Sequence, residues 1–166
     1  MTFSVRQLST DDLAAYRSVR LEALLDHPEA FASAYEAARD QPDDHFAGAL
    51  EKLAIFGIIA SNGSLAGIAA FDRFDGAKMQ HRGSITQVYV RPHMRGTGAA
   101  LALIEAVTDH ARQYVVQLHL GVADGNEAAI GLYRKAGFET YGIEPRYLYV
   151  DGRYVDEHLM VRFFDR

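Results

Sequence analysis

The stretch that decides the fold is Val88-Tyr89-Val90-Arg91-Pro92-His93-Met94-Arg95-Gly96-Thr97-Gly98-Ala99-Ala100. An apolar, strand-like run passes through a glycine-containing turn into the start of a helix. The first turn of a helix carries backbone N–H groups with no partner inside the helix. The helix dipole adds partial positive charge at the same end. Together they suit an anion such as phosphate. Gly96 and Gly98 lack a Cβ and let the backbone approach closely. Ala99 and Ala100 keep that approach open, and Arg95 adds a permanent charge. Many glycine-rich turns before helices bind nothing, so the turn alone leaves a phosphate site and an empty turn both open. A nucleotide P-loop fits poorly, because no Gly-Lys-Ser/Thr follows. A dinucleotide fingerprint fits poorly too, because position 101 is Leu where a third glycine is needed.

Upstream of this stretch, Arg82 to Val90 reads as a strand, with Ile85, Gln87 and Tyr89 on one face and Val88 and Val90 on the other. Leu53 to Ala60 and Leu65 to Phe74 read as a hairpin joined at Asn62-Gly63, a type I′ signal. Before them, Asp11 to Leu25 has apolar residues at helical spacing behind the N-cap candidates Ser9 to Asp12. Pro28-Glu29-Ala30 suggests a second helix, and Pro42-Asp43 opens a third that ends near Lys52. Downstream, a helix is expected from about Thr97 to Gln113, a strand over Val115 to Val122, and a short helix from Asn126 to Ala136 capped by Gly137. Phe138 to Ile143, Tyr147 to Val150 and Tyr154 to Phe163 read as strands, the last two turned by Asp151-Gly152. The order predicts an α/β (α+β) fold, a mixed sheet with helices on its faces.

The 166 residues fit a single domain over 1–166. There is no cysteine, which excludes disulfides, thiolate nucleophiles and cysteine metal sites. The net charge of −5 argues against nucleic-acid binding, which draws on clustered Lys and Arg. No apolar run approaches the ~20 residues of a membrane helix. The polar stretch Met1 to Asp12 has no signal-peptide character, so a cytoplasmic location is expected. The seven histidines show no His-x-x-x-His spacing, and no catalytic metal is expected.

A second informative stretch is Asn126-Glu127-Ala128-Ala129-Ile130-Gly131-Leu132-Tyr133-Arg134-Lys135-Ala136-Gly137-Phe138. Asn126 stands where an N-cap stands. Ala129, Leu132, Tyr133 and Ala136 share one helical side, and the small residues there leave room for a ligand. On the residues alone, Tyr133 reads first as a core aromatic.

The two stretches together resemble the GCN5-related N-acetyltransferase (GNAT) family. Arg95-Gly96-Thr97-Gly98-Ala99-Ala100 is similar to its Arg/Gln-x-x-Gly-x-Gly/Ala signature. Asn126 to Phe138 is similar to its Asn-x-x-Ala-x-x-Leu-Tyr-x-x-x-Gly-Phe segment. The resemblance extends to Arg20-Leu21-Glu22-Ala23-Leu24 and to Asp151 through Glu157, and so covers nearly the whole chain.

The resemblance implies a twisted mixed sheet of about seven strands with helices on both faces. Two parallel strands, ending near Val90 and Val122, splay apart. It implies acetyl-CoA as co-substrate, its pantetheine arm against the backbone of Tyr89 and Val90 and its pyrophosphate on the amides from Arg95 to Ala100. Asn126, Ala129 and Tyr133 line the other side. The implied reaction is direct attack of a free amine on the thioester, with Tyr133 protonating the departing sulfur and a backbone N–H, at Val90, supporting the carbonyl oxygen.

The base is less plain. Many members place glutamate where this chain has Gln87, which cannot titrate but can orient a water. The other candidates are Glu157, Glu22, His158 and His119, each reading first as a structural or surface group, with Glu157 kept as a site residue beside Gln87. Tyr35, Phe31 and the Phe71 to Phe74 region border the acceptor side in the family, though they read first as core. The expected acceptor is a primary amine of a small molecule. The alternatives are a non-catalytic acyl-CoA sensor and an enzyme acting on protein N-termini or lysines. The strand-rich C-terminus offers an edge for a homodimer.

Overall fold

A computed structural model describes residues 2–164; Met1, Asp165 and Arg166, the ends of the expected domain, lie outside the described residues. Seven strands form one sheet in the order β1-β2-β3-β4-β5-β7-β6. These are β1 (Phe3–Gln7), β2 (Ala54–Ala60), β3 (Leu65–Arg73), β4 (Arg82–Val90), β5 (Gln117–Ala123), β6 (Glu139–Val150) and β7 (Arg153–Phe163). The helices are α1 (Leu13–Asp26), α2 (Tyr35–Arg39), α3 (Asp43–Lys52), α4 (Ala99–Ala111) and α5 (Glu127–Lys135). Only β4 and β5 pair in parallel; every other neighbouring pair is antiparallel.

The sheet has a core on each face. On one, α4 and α5 bring Leu103, Ile104, Val107, Ile130 and Tyr133 against Ile58, Ile85, Leu118, Leu120 and Met160. On the other, α1 and α3 bring Tyr16, Val19, Ala23, Phe46 and Leu50 against Ile55, Ile68, Ala70 and Tyr89. β3 is covered on both faces, so Leu65 to Phe71 are all buried and the strand reads as an unbroken apolar run.

The differences from the sequence expectation have local reasons. β1 lies within the stretch read only as polar: Phe3 and Val5 alternate with Ser4 and Arg6, and the two apolar side chains pack on the α4 core. α1 starts later than Asp11, because a capping box between Ser9 and Asp12 closes a 3₁₀ turn first. Pro28–Ala30 is a 3₁₀ turn, with the short α2 following separately. The β2–β3 turn is not type I′. Gly63 alone is left-handed there, at φ +84°, and its N–H donates to Ala60 O at 2.9 Å. Asp151 and Gly152 both take positive φ, as a two-residue I′ turn demands. The two expected strands over 138–150 are one strand, β6, whose pairing with β7 slips between Glu144 and Leu148.

Candidate active site

The site begins with an irregularity in β4. Gln87 has φ +57°, and the register with β3 slips between Ile68 and Ala70, so Gln87 and Val88 together face Ala69. Such a bulge reverses the side-chain alternation beyond it. Ile85 therefore packs on the α4 face while Tyr89 packs on the α1 face, which corrects the expectation that Ile85, Gln87 and Tyr89 share one side. β4 and β5 pair only from Arg82–Gln117 to Ser84–His119, and past that point β4 has no neighbour on its β5 side. Arg91 N–H donates to Ala66 O at 2.9 Å. Peptide groups alternate sides along a strand, so those of Val90 and Val88 face the gap. Those of Tyr89, paired with Ile68, turn to β3.

At the mouth of the gap stands the head of α4. Gly96 has φ +73° and Gly98 φ +88°, conformations that favour glycine, and an added Cβ at either meets nothing within 4 Å. The Thr97 hydroxyl donates to Met94 O at 2.6 Å, while Ala99 N–H reaches the Thr97 oxygen at 3.4 Å. Among the described residues the N–H groups of Gly96, Thr97, Gly98, Ala100 and Leu101 have no protein acceptor. They form a concave row of free donors at the positive end of a helix dipole. Arg95 behaves differently from the sequence picture. Its Nε donates to Val90 O at 3.0 Å and its Nη2 lies 3.3 Å from His27 Nε2, so the side chain is turned back as a brace between the loop, β4 and α1.

Across the gap, Asn126 Oδ1 accepts from Ala129 N–H at 3.2 Å and caps α5. Tyr133, 6% exposed, packs edge-on to Phe138 in the α4 core. Its hydroxyl has no hydrogen-bond partner among the described residues, and burial pushes its pKa well above the ordinary tyrosine value.

The opposite face of the sheet carries the base candidates other than His158, which pairs with Val122 and so lies on the α4 face. Gln87 Oε1 accepts from Tyr16 Oη–H at 2.6 Å. Glu157 lies over Gly121, where any Cβ would collide with its carboxylate, so that glycine makes the seat. Burial and the nearby Glu144 raise the Glu157 pKa. It shares a small pocket with Gly121, Ala123, Glu29 and Ala30. His158 Nε2 is 2.8 Å from Asp124 Oδ1. Both ring nitrogens of His119 lack partners, and burial lowers its pKa. Of the aromatics expected beside an acceptor, Phe31 lies on this face under Arg20, but Phe71 packs against His110 on the α4 face. Phe46 and Tyr16, not singled out beforehand, border a cavity on the α1 face instead.

Glu22 is fully engaged. It takes Arg91 Nη2 at 2.7 Å, Arg91 Nε at 3.0 Å and Tyr89 Oη–H at 2.9 Å, and these donors hold its pKa below the usual carboxylate range. Burial, together with the same carboxylate, pushes the Tyr89 phenol up to about 12. This network ties α1 to the end of β4, one residue before the loop. A lowered folded pKa stabilises fully above the unfolded value of about 4.3 and loses its effect as pH falls through the folded value. Glu22→Gln should therefore cost about 1 kcal/mol at pH 7, the exposed part of the pair being screened. Its melting temperature should converge with that of the parent toward pH 3. A difference that ignores pH would remove the ion pair from this role.

The family model described as Acetyltransferase (GNAT) family matches residues 17–138, and the chain belongs to that family. It is an N-acetyltransferase with acetyl-CoA as its co-substrate. It is 33% identical over 141 residues to the N-alpha-acetyltransferase RimI of Mycobacterium tuberculosis, covering 83% of this chain and 80% of that one. It is 40% identical over 79 residues to an L-methionine sulfoximine/L-methionine sulfone acetyltransferase of Pseudomonas aeruginosa, a match covering 45% of each chain. Among solved structures, a GNAT-family acetyltransferase from Streptococcus pneumoniae superposes with a TM-score of 0.84 at 21% identity, over 98% of this chain and 100% of that one. A phosphinothricin acetyltransferase from Sinorhizobium meliloti in complex with acetyl-CoA gives 0.84 at 18% identity, over 99% and 89%. At these identities the two structures share the fold. Among the described residues no helix is long and apolar enough to cross a membrane.

Proposed function

We propose that this chain, read as one domain, transfers the acetyl group of acetyl-CoA to a primary amine of a small molecule by direct attack. The observation that carries the reading is the open edge of β4 beside the free amides at the head of α4, because a long thioester with a diphosphate needs both at once. Acetyl-CoA supplies an acetyl group already activated as a thioester. The amides from Gly96 to Ala100 hold its pyrophosphate, and Arg95 keeps that loop in place. The backbone of Val90, with that of Tyr89 behind it, supports the pantetheine arm and the carbonyl oxygen. Asn126 and Ala129 flank the other side.

The chain has no cysteine thiol to carry the acetyl group, in keeping with direct attack by the amine. An ammonium has no lone pair, and a base must first take its proton. Glu157 is that base, since burial raises its pKa toward the working range. Gln87 orients a water between the two, and Tyr133 Oη holds the proton that the released thiol takes up. Activity should fall as pH drops through the Glu157 pKa, at a pH above the ~4.3 of an ordinary glutamate. Glu157→Gln should lower kcat/KM about 100-fold and abolish that acid limb. A variant that keeps the limb would place the base elsewhere.

A second reading, transfer to protein N-termini, draws on the name of the Mycobacterium relative. One assay separates the readings: thiol release from acetyl-CoA across polyamines, aminoglycosides, amino acids and peptides with free N-termini. Turnover of small amines supports the proposal, and turnover of peptides alone supports the second reading. Binding of acetyl-CoA with no turnover on any amine would make the protein a sensor.

A further inference from the structure

The acceptor side holds an uncompensated cation. A cavity of about 220 Å³ on the α1 face is bordered by Tyr16, Arg20, Ser33, His45, Phe46 and Gln87, among others, and by no Asp or Glu. Gln87 sits on the bulge where β4 leaves β5, so this cavity adjoins the reacting end of the gap. The Arg20 guanidinium lies 5.0 Å above the Phe31 ring centroid, and its Nη1 is sealed from solvent without any hydrogen-bond partner. The contrast with Arg17, on the same helix, is direct: that guanidinium has Asp43 Oδ1 at 2.7 Å and Arg39 O at 3.1 Å. Among the described residues the two hydrogens of Nη1 are sealed without an acceptor on a fixed planar charge, which costs free energy. A carboxylate is the anion whose geometry the guanidinium fork matches.

We propose that Arg20 binds a carboxylate carried by the acceptor, so that the substrate is an amine bearing an acidic group, an amino acid or a close analogue. The inference rests on the small-molecule reading above and narrows it. Polyamines and aminoglycosides are polycations, and a cavity with an unpaired guanidinium and no carboxylate repels them. The volume agrees, being smaller than the roughly 300–1,000 Å³ of sites for drug-sized ligands. Gln87, with Tyr16 Oη–H fixed on its oxygen, has amide hydrogens left for the amine end or its water.

The test uses the full chain and matched acceptors, each amino acid beside its carboxamide and its decarboxylated amine. The parent protein should favour the carboxylate by roughly 10- to 100-fold in kcat/KM, as a charge-assisted hydrogen bond implies. Arg20→Met should abolish that preference and leave acetyl-CoA affinity unchanged. It should also melt no lower than the parent, since a guanidinium nitrogen sealed without a partner is replaced by an apolar chain of similar size. A merely structural arginine would instead lower the melting temperature and leave the preference intact. Equal turnover of the three partners by the parent would overturn the proposal. Calorimetry with the amino acids, in the absence of turnover, separates it from the wider reading. Carboxylate binding that Arg20→Met loses upholds the inference even if no acetyl transfer occurs. No carboxylate binding in the parent overturns it even if another amine is acetylated.

Discussion

Replacing Tyr133 with Phe should slow acetyl transfer about 100-fold while acetyl-CoA affinity changes little. The substitution removes one oxygen and keeps the ring, and it is the ring that packs edge-on against Phe138 in the α4 core. No hydrogen bond is broken in the free protein, because the hydroxyl has none among the described residues. The fold therefore has little to lose, and the melting temperature should stay level. What disappears is an O–H that can donate a hydrogen bond to the negative charge developing on the departing sulfur. Such a group acts in the transition state, so kcat and kcat/KM should fall together with KM nearly constant. Steady-state kinetics and calorimetry with acetyl-CoA check this. Unchanged turnover would leave Tyr133 as a core aromatic and nothing more.

Arg95→Glu should weaken acetyl-CoA binding tenfold or more, a loss of at least about 1.4 kcal/mol. The arginine does not need to touch the coenzyme for this. Its Nε holds Val90 O at 3.0 Å, and without that bond the loop carrying Gly96 and Gly98 is freed from the end of β4. A glutamate at the same place also brings a carboxylate to the positive end of α4, where it competes for the free amides. Arg95→Met separates the two causes, since it removes the brace and adds no charge. The extra loss in Arg95→Glu should shrink at high salt, and the loss shared with Arg95→Met should not. Calorimetry giving the parent affinity in Arg95→Glu would reject the pyrophosphate assignment.

The legible parts of the protein are those set by neighbours in sequence. The head of α4 could be read from Arg95 to Ala100, because a left-handed backbone and a row of unpaired amides are properties of a short segment. The cap at Asn126, the turn at Asp151-Gly152 and the helical side holding Tyr133 were readable for the same reason. β1 was missed because a five-residue strand with two inward side chains is a faint signal, and only its pairing with β2 identifies it. The two strands expected on either side of residues 144–146 join into β6 across an unpaired stretch, where Arg146 takes φ +56° and its N–H donates to Asp156 Oδ1 at 2.8 Å, a contact with β7 that the local sequence does not announce.

The acceptor side was opaque for a different reason. Gln87 looked like one more residue of a regular strand, and its residue type carries no preference for a bulge. The slip in register with β3 exists only when both strands are present, and it sends Tyr89 to the opposite face from Ile85. Glu22 was a base candidate until Arg91, 69 positions away in the chain, was seen clasping it. The sequence by itself determined the family, most of the order of elements and the glycine turn at the head of α4, each being a local pattern of glycines, caps and apolar spacing. The tertiary structure alone decided which charges are neutralised and which are left bare: Glu22 engaged, Glu157 seated over Gly121, Arg20 without an anion. Charge pairing depends on distances between segments remote along the chain, and no local pattern encodes those distances.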